Sequence, residues 1–313
     1  MADITDISWA DHTHNQWVGC TRISPACDGC YAANLMDNRL HRVKWGGAGV
    51  GNGERDLTSE ANRKKPFTWN RRAQRCGKRP FVFGGSLNDP FDNAVPDAWR
   101  RTYFRDVIAK TPNLIWLLLT KRPQNIVEMS EDAGGLPENV ALGCTAENQT
   151  VWDRNIGELI NAKATLGPLF AFVSIEPMLG RIQVTSAEVT WSLKKHLAFS
   201  RPGHHKFNPI HPRQEWRYKL DWIITGGETN QGEFRARPSN PEWFREIRDD
   251  CLATGTAYHH KQNGEYASVS EIEGRGEHYR FPSGATVRRV GKTKAGRLID
   301  GVLHDARPIV GIR

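Results

Sequence analysis

Apolar and polar positions follow two different rhythms along this chain. From residue 80 onward, short and nearly unbroken apolar runs are separated by stretches whose apolar residues recur every three or four positions. PFVFGG precedes a helical pattern over about 96–110, LIWLLLTKR one near 123–132, and NVALGCT one near 150–163. LFAFVSIEP follows, then, after an interruption, DWIITGGE, a helical pattern over about 241–254, and AYHHKQNG. Continuous apolar strands belong in a sheet covered on both faces, and strands that alternate with helices make that sheet parallel. The pattern predicts an α/β fold. The preceding stretch, 41–79, is Gly-rich and then basic and keeps neither period, so it reads as a long excursion carrying one helix.

Each apolar run ends in small or polar residues: GGSLND, TKRP, CTAEN, SIEP, GGET and KQNG. Such residues serve turns, but in parallel α/β folds the ligand lies at the carboxyl ends of the strands, so these tails are expected to converge on one site. Residues 181–220 interrupt the repeat with a segment rich in Lys, Arg and His, interleaved with Trp191, Phe199, Phe207, Trp216 and Tyr218. Basic charge beside aromatic faces suits a phosphate backbone and its bases, and a solvated surface insertion has the same composition. Residues 265–313 read as a strand-poor basic C-terminal extension, which leaves 1–264 as the main domain. The formal charge of +8 points to an acidic partner, nucleic acid above all. The first residues carry acids where a leader needs a basic and then apolar stretch, and the longest apolar runs fall far short of a membrane span. A cytoplasmic protein is expected.

The chain has six cysteines, and three of them, Cys20, Cys27 and Cys30, share the short polar loop CTRISPACDGCY. Cys76, Cys144 and Cys251 are scattered. A disulfide framework belongs to small secreted domains, so the cluster points to a metal instead. Two centres suit the spacing C-x6-C-x2-C. One is zinc with a fourth ligand such as His12 or His14; the other is an iron-sulfur cluster on three thiolates, which leaves one iron open.

The motif WADHTHNQWVGCTRISPACDGCYA resembles the opening of a phage-associated, radical-SAM-like family long carried as a domain of unknown function. FVFGGSLNDPFDNAVP, WLLLTKRPQN, NVALGCTAENQ, FVSIEPMLGRI, DWIITGGETNQGEFRARP and CLATGTAYHHKQNG resemble its later motifs, in the same order. The resemblance implies a partial (βα) barrel of about six or seven parallel strands. It implies a [4Fe-4S] cluster ligated by Cys20, Cys27 and Cys30, with Tyr31 packed against it, and S-adenosyl-L-methionine held by the strand tails. Gly84, Gly85 and Ser86 would stand where radical-SAM enzymes place a GGE that receives the methionine amino group, with Asp89 supplying the charge. Thr145, Glu147 and Ser174 would face the ribose or methionine portions. Glu176, Glu228, Lys121 and Lys261 would grip the substrate. Two features depart from the commoner pattern: the first cysteine gap is six residues, with Gly29 in place of an aromatic, and the GGE text stands at 226–228.

The resemblance further implies an enzyme that modifies a nucleobase through a 5′-deoxyadenosyl radical, rearranging an amino-acid-decorated thymine in phage DNA. The DNA base would be flipped or single-stranded, and an external donor such as flavodoxin or ferredoxin would supply the electron. A repair lyase resembling spore photoproduct lyase is the alternative enzyme. A zinc-stabilised nucleic-acid-binding protein without catalysis is the alternative from another class.

Overall fold

In the computed structural model, which describes residues 5–191 and 203–310, seven strands form one all-parallel sheet. They are β1 His12–Thr13, β2 Phe81–Phe83, β3 Ile115–Thr120, β4 Val140–Thr145, β5 Ala171–Ile175, β6 Trp222–Gly226 and β7 Ala257–Gln262, and they lie side by side in chain order. Phe81 of β2 and Trp222 of β6 have ring centroids 5.9 Å apart. Four inter-strand steps of about 4.8 Å would separate those strands by about 19 Å in a flat sheet. The sheet is therefore curled into a partial (βα) barrel, as expected.

Side chains alternate between two buried layers, which is why the strands read as unbroken apolar runs. Phe81, Phe83, Ile115, Leu117, Ala141, Phe172, Trp222 and Ile224 face inward and pack with Trp9 and Ala10. Val82, Trp116, Leu118, Leu142, Val173 and Ile223 face outward and are covered by helices. A β-carbon on Gly143 would lie 2.4 Å from the Phe172 ring, so the lumen closes there only because β4 offers no side chain.

The covering helices are α1 Glu60–Cys76, α2 Asp97–Thr102, α3 Ile126–Asp132, α4 Gln149–Leu166 and α5 Pro241–Thr254. Their ends follow from local chemistry. The Asn148 side chain accepts from Val151 N at 3.0 Å and Gly167 ends α4 in the left-handed conformation; Asn240, Pro241 and Gly255 do the same for α5. From Tyr103 to Ile108 the chain continues α2 as a wider π-type turn.

The extension read as strand-poor instead forms a three-stranded antiparallel sheet from Tyr266–Ser268, Thr286–Arg289 and His278–Arg280. Beyond it, Arg307 stacks over Phe81 at 5.3 Å and donates to Asp11 and to Ser8 O, while Val310 packs on the inner layer. The tail thus seals the amino-terminal end of the barrel. In the insertion, Ala187–Trp191 pairs antiparallel with Gly203–Phe207. Phe199 and the cations Lys194, Lys195 and Arg201 lie outside the described residues. No described helix is long and apolar enough to cross a membrane.

Four histidines, His12, His14, His259 and His260, are buried in this framework. Burial pushes His14 down to about 4, His259 to about 4 with help from the Arg297 charge, and His260 to about 3. Between pH 6.5 and these values the unfolded chain binds protons that the native chain does not, so stability falls as pH falls. The expected slope is about 1.4 kcal/mol per pH unit for each of these three histidines. Urea midpoints measured from about pH 7 down to about pH 4 check this, and His14→Phe should make the slope shallower; an unchanged slope would show that His14 is protonated in the native state.

Candidate functional site

At the carboxyl ends of the strands the inward register turns from apolar to polar. Leu119 is followed two residues on by Lys121, Gly143 by Thr145, Phe172 by Ser174 and then Glu176, Ile224 by Gly226, and His259 by Lys261. Thr145, Glu147 and Ser174 are buried. Lys261 Nζ donates to Glu176 Oε1 at 2.6 Å, and Gln262 Nε2 donates to the same oxygen at 3.1 Å. A β-carbon on Gly226 would come within 3.1 Å of the Glu176 side chain, so that glycine makes room for the pair. The structure therefore brings Glu176 and Lys261 together at the mouth, as a closed ion pair.

The cysteine loop lies over this mouth. Cys20 follows the short strand Trp17–Val18, Pro25–Cys27 makes a 3-10 turn, and Cys30 opens a helical turn. None of the three is in a disulfide. Gly19 is held at φ +105, with the Glu54 carbonyl 2.2 Å from where its β-carbon would stand, so only glycine allows Cys20 this approach. Arg122 Nη1 donates to Cys20 Sγ at 3.7 Å, and Ser24 Oγ lies 3.8 Å from Cys27 Sγ. All three thiols act on one cation, Lys121. Burial lowers its pKa, while the thiolate forms of Cys27, Cys30 and Cys20, with Glu147, raise it above the ordinary lysine value. Burial in turn pushes the Cys20 thiol up to about 12, with Asp89 adding to the shift and Arg122 opposing it, and burial pushes Cys30 up as well. Among the described residues no three His, Cys, Asp or Glu side chains stand close enough to hold a single metal ion.

Buried ion pairs fasten the loop to the strand ends. Asp89 Oδ2 accepts from Arg122 Nη1 at 2.8 Å and from Lys121 N at 3.2 Å; its Oδ1 accepts from the Thr120 hydroxyl at 2.6 Å and from Phe91 N at 2.9 Å. Arg122 Nη2 donates to Thr21 O at 2.9 Å. Arg55 holds Asp92 and donates to Thr21 Oγ1 at 2.8 Å. On the other side of the loop, Arg237 grips both oxygens of Glu228, at 2.8 and 2.5 Å, and donates to Asp28 Oδ2 and Pro25 O. Glu147 Oε1 accepts from Ala26 N at 3.3 Å.

Several of the expected residues have partners within the protein. Both oxygens of Asp89, the acid expected near an incoming amino group, are engaged. Glu228, expected at the substrate, is bound to Arg237. Ser86 contributes its carbonyl to the Tyr31 hydroxyl and its own hydroxyl to Asn15, so GGS and the cysteine loop are tied together, and Tyr31 is partly exposed. Gly84 accepts from the Tyr103 hydroxyl at 3.4 Å. His12 stacks on Trp69 and His14 sits among Trp69, Tyr103 and Trp116, in the outer layer rather than beside the thiols. Cys144 is buried in that outer layer too. Arg55, Asp92 and Arg237 went unnoticed in the sequence, because each reaches the loop from a distant segment.

Residues 4–308 match the family described as Protein of unknown function (DUF5131). The chain belongs to that family. No curated protein and no solved structure matches it. In this DUF5131 chain the buried Asp89–Arg122 pair should be essential to the fold around the cysteines. Asp89→Asn leaves the buried Arg122 guanidinium with the longer 3.7 Å contact to Asp92 Oδ1 as its carboxylate partner and is expected to cost about 3 kcal/mol in denaturant unfolding. A variant as stable as the parent would show that the carboxylate is free for a ligand after all.

Proposed function

We propose that this protein is a radical S-adenosylmethionine enzyme that rearranges an amino-acid-decorated thymine in phage DNA. The observation that carries the reading is that Cys20, Cys27 and Cys30 share one loop at the carboxyl-end mouth of a parallel partial barrel, where Arg122 from the end of β3 donates to Cys20 Sγ at 3.7 Å. Three thiols free of disulfides, next to a retained cation, are a donor set that fits a thiolate-ligated iron-sulfur group. A [4Fe-4S] cluster on those thiols would pass one electron, taken from flavodoxin or ferredoxin, to S-adenosylmethionine and so generate a 5′-deoxyadenosyl radical.

The chain's own part is placement and protection. Cys20 and Cys30 are held protonated by burial, so loading requires them to shed protons, and Lys121 and Arg122 balance the charge that results. The apolar inner layer beneath the mouth keeps water from the reacting centre. Glu176 and Lys261 stand across the mouth as the polar pair that a substrate carrying both charges can open and occupy. Lys64, Arg71, Arg72 and Arg75 on the exposed side of α1, with the net charge of +8, support a polyanionic substrate. A base in duplex DNA would have to be flipped out to enter the barrel.

The test begins with anaerobic reconstitution, followed by iron and sulfide analysis of the parent and of Cys27→Ala. The parent is expected to bind iron and sulfide and, given a reductant, to release 5′-deoxyadenosine from S-adenosylmethionine; Cys27→Ala should lose both properties. With DNA deuterated at the carbon attached to the base, the label should appear in the 5′-deoxyadenosine. Zinc in place of iron, or a full cluster in Cys27→Ala, overturns the reading.

A further inference from the structure

Most charges at the mouth are satisfied within the protein: Glu176 by Lys261, Glu228 by Arg237, Asp89 by Arg122 and Asp92 by Arg55. Two are not. Glu147 is 0% exposed, and while its Oε1 accepts from Ala26 N, its Oε2 has no hydrogen-bond partner among the described residues. The ammonium of Lys121 makes no hydrogen bond or ion pair with any described residue, although it feels Glu147 and all three thiols. The two residues follow adjacent strands, Lys121 directly after β3 and Glu147 two residues after β4. A buried carboxylate oxygen without a donor is costly unless something supplies one, and a native fold seldom retains such an atom without a use.

We propose that Glu147 and Lys121 form a binding site for a zwitterionic α-amino-acid headgroup, Glu147 Oε2 accepting from the ammonium and Lys121 Nζ donating to the carboxylate. One anion and one cation at neighbouring strand ends match the two charges that an α-amino acid carries on adjacent groups. A plain anion would leave Glu147 unsatisfied, and a plain cation would meet Lys121. The inference rests on the cofactor reading above in one respect: S-adenosylmethionine is one source of such a headgroup, and an amino acid without the nucleoside is the other. It also replaces Asp89, which is sealed by Arg122, with Glu147 as the acid that meets an incoming amino group.

The experiment is calorimetric titration of the anaerobically reconstituted full chain with three probes, with iron measured for every sample. S-adenosylhomocysteine carries headgroup and nucleoside, 5′-methylthioadenosine carries the nucleoside alone, and L-methionine carries the headgroup alone. The parent is expected to bind S-adenosylhomocysteine at least about tenfold more tightly than 5′-methylthioadenosine. Glu147→Gln and Lys121→Met should each weaken S-adenosylhomocysteine by about tenfold to a hundredfold, the scale of one charge-assisted hydrogen bond, and leave 5′-methylthioadenosine unchanged.

If the variants bind S-adenosylhomocysteine as the parent does, or lose both adenosyl ligands equally, the headgroup site is wrong while the cofactor reading stands. If neither adenosyl ligand binds the parent but L-methionine does, and both variants abolish it, the headgroup site stands and the cofactor reading fails. Binding of no probe overturns both. A loss of iron in Lys121→Met without a loss of headgroup affinity would assign Lys121 to balancing thiolate charge, and the inference would fall. Thermal unfolding identifies a misfolded variant, and the parent's preference between the two adenosyl ligands still decides the matter in that event.

Discussion

The cysteine loop has almost no regular structure of its own, so its position depends on the buried ions beneath it. Arg122 leaves the end of β3, meets Asp89 from the tail of β2, and reaches up to Cys20 Sγ and Thr21 O. Arg55 meets Asp92 and holds the Thr21 hydroxyl from the other side. Each of these ions gives up several kcal/mol of hydration, and the pairing returns that cost without much surplus. What the arrangement provides is placement: a guanidinium in a fixed fork geometry ties two neighbouring loop residues to two strand ends at once. Hydrophobic burial could hold the loop down but could not fix where its sulfurs point.

The same logic explains why the lumen changes character along its axis. Below, aromatic rings from β2, β5 and β6 fill the barrel and leave no space for a ligand. Above, the same inward register carries Ser174, Glu176 and Lys261, and glycines at 143 and 226 absorb the bulk of Phe172 and Glu176. A charged side chain is tolerated there because a partner reaches it from a neighbouring strand. The floor is thus built by packing and the mouth by pairing, with one strand register serving both.

What could be read in the sequence was whatever depends on neighbours along the chain. The strands β2 to β7 announce themselves because both faces are buried, and α5 begins and ends at 241 and 254 because Asn240, Pro241 and Gly255 are local signals. The two-residue β1 is too short to show a period, and the π-type turn from Tyr103 to Ile108 keeps an apolar pattern close to that of a helix. At the site, the convergence of the strand tails follows from the parallel topology. The role of Asp89 does not, because its partners Thr120 and Arg122 belong to the next strand. His12 or His14 suits the fourth ligand of a zinc site by its place in the sequence, but the chain there turns both rings to the helix side, against Trp69.

Gly29 shows how a loop can be braced from a distance. The residue before the last cysteine of the loop is glycine, and the Phe234 ring lies 2.5 Å from where its β-carbon would stand. Phe234 is held by the turn that also carries Arg237, whose guanidinium lies 5.4 Å from that ring and donates to Asp28 and Pro25 in the loop. The six residues between Cys20 and Cys27 therefore do not leave the loop slack. They make room for a second segment to enter, so that ring, guanidinium and Glu228 brace the loop from the β6 side while Arg122 braces it from β3. With the loop clamped on both flanks, Glu147 meets it between the clamps, its Oε1 accepting from Ala26 N.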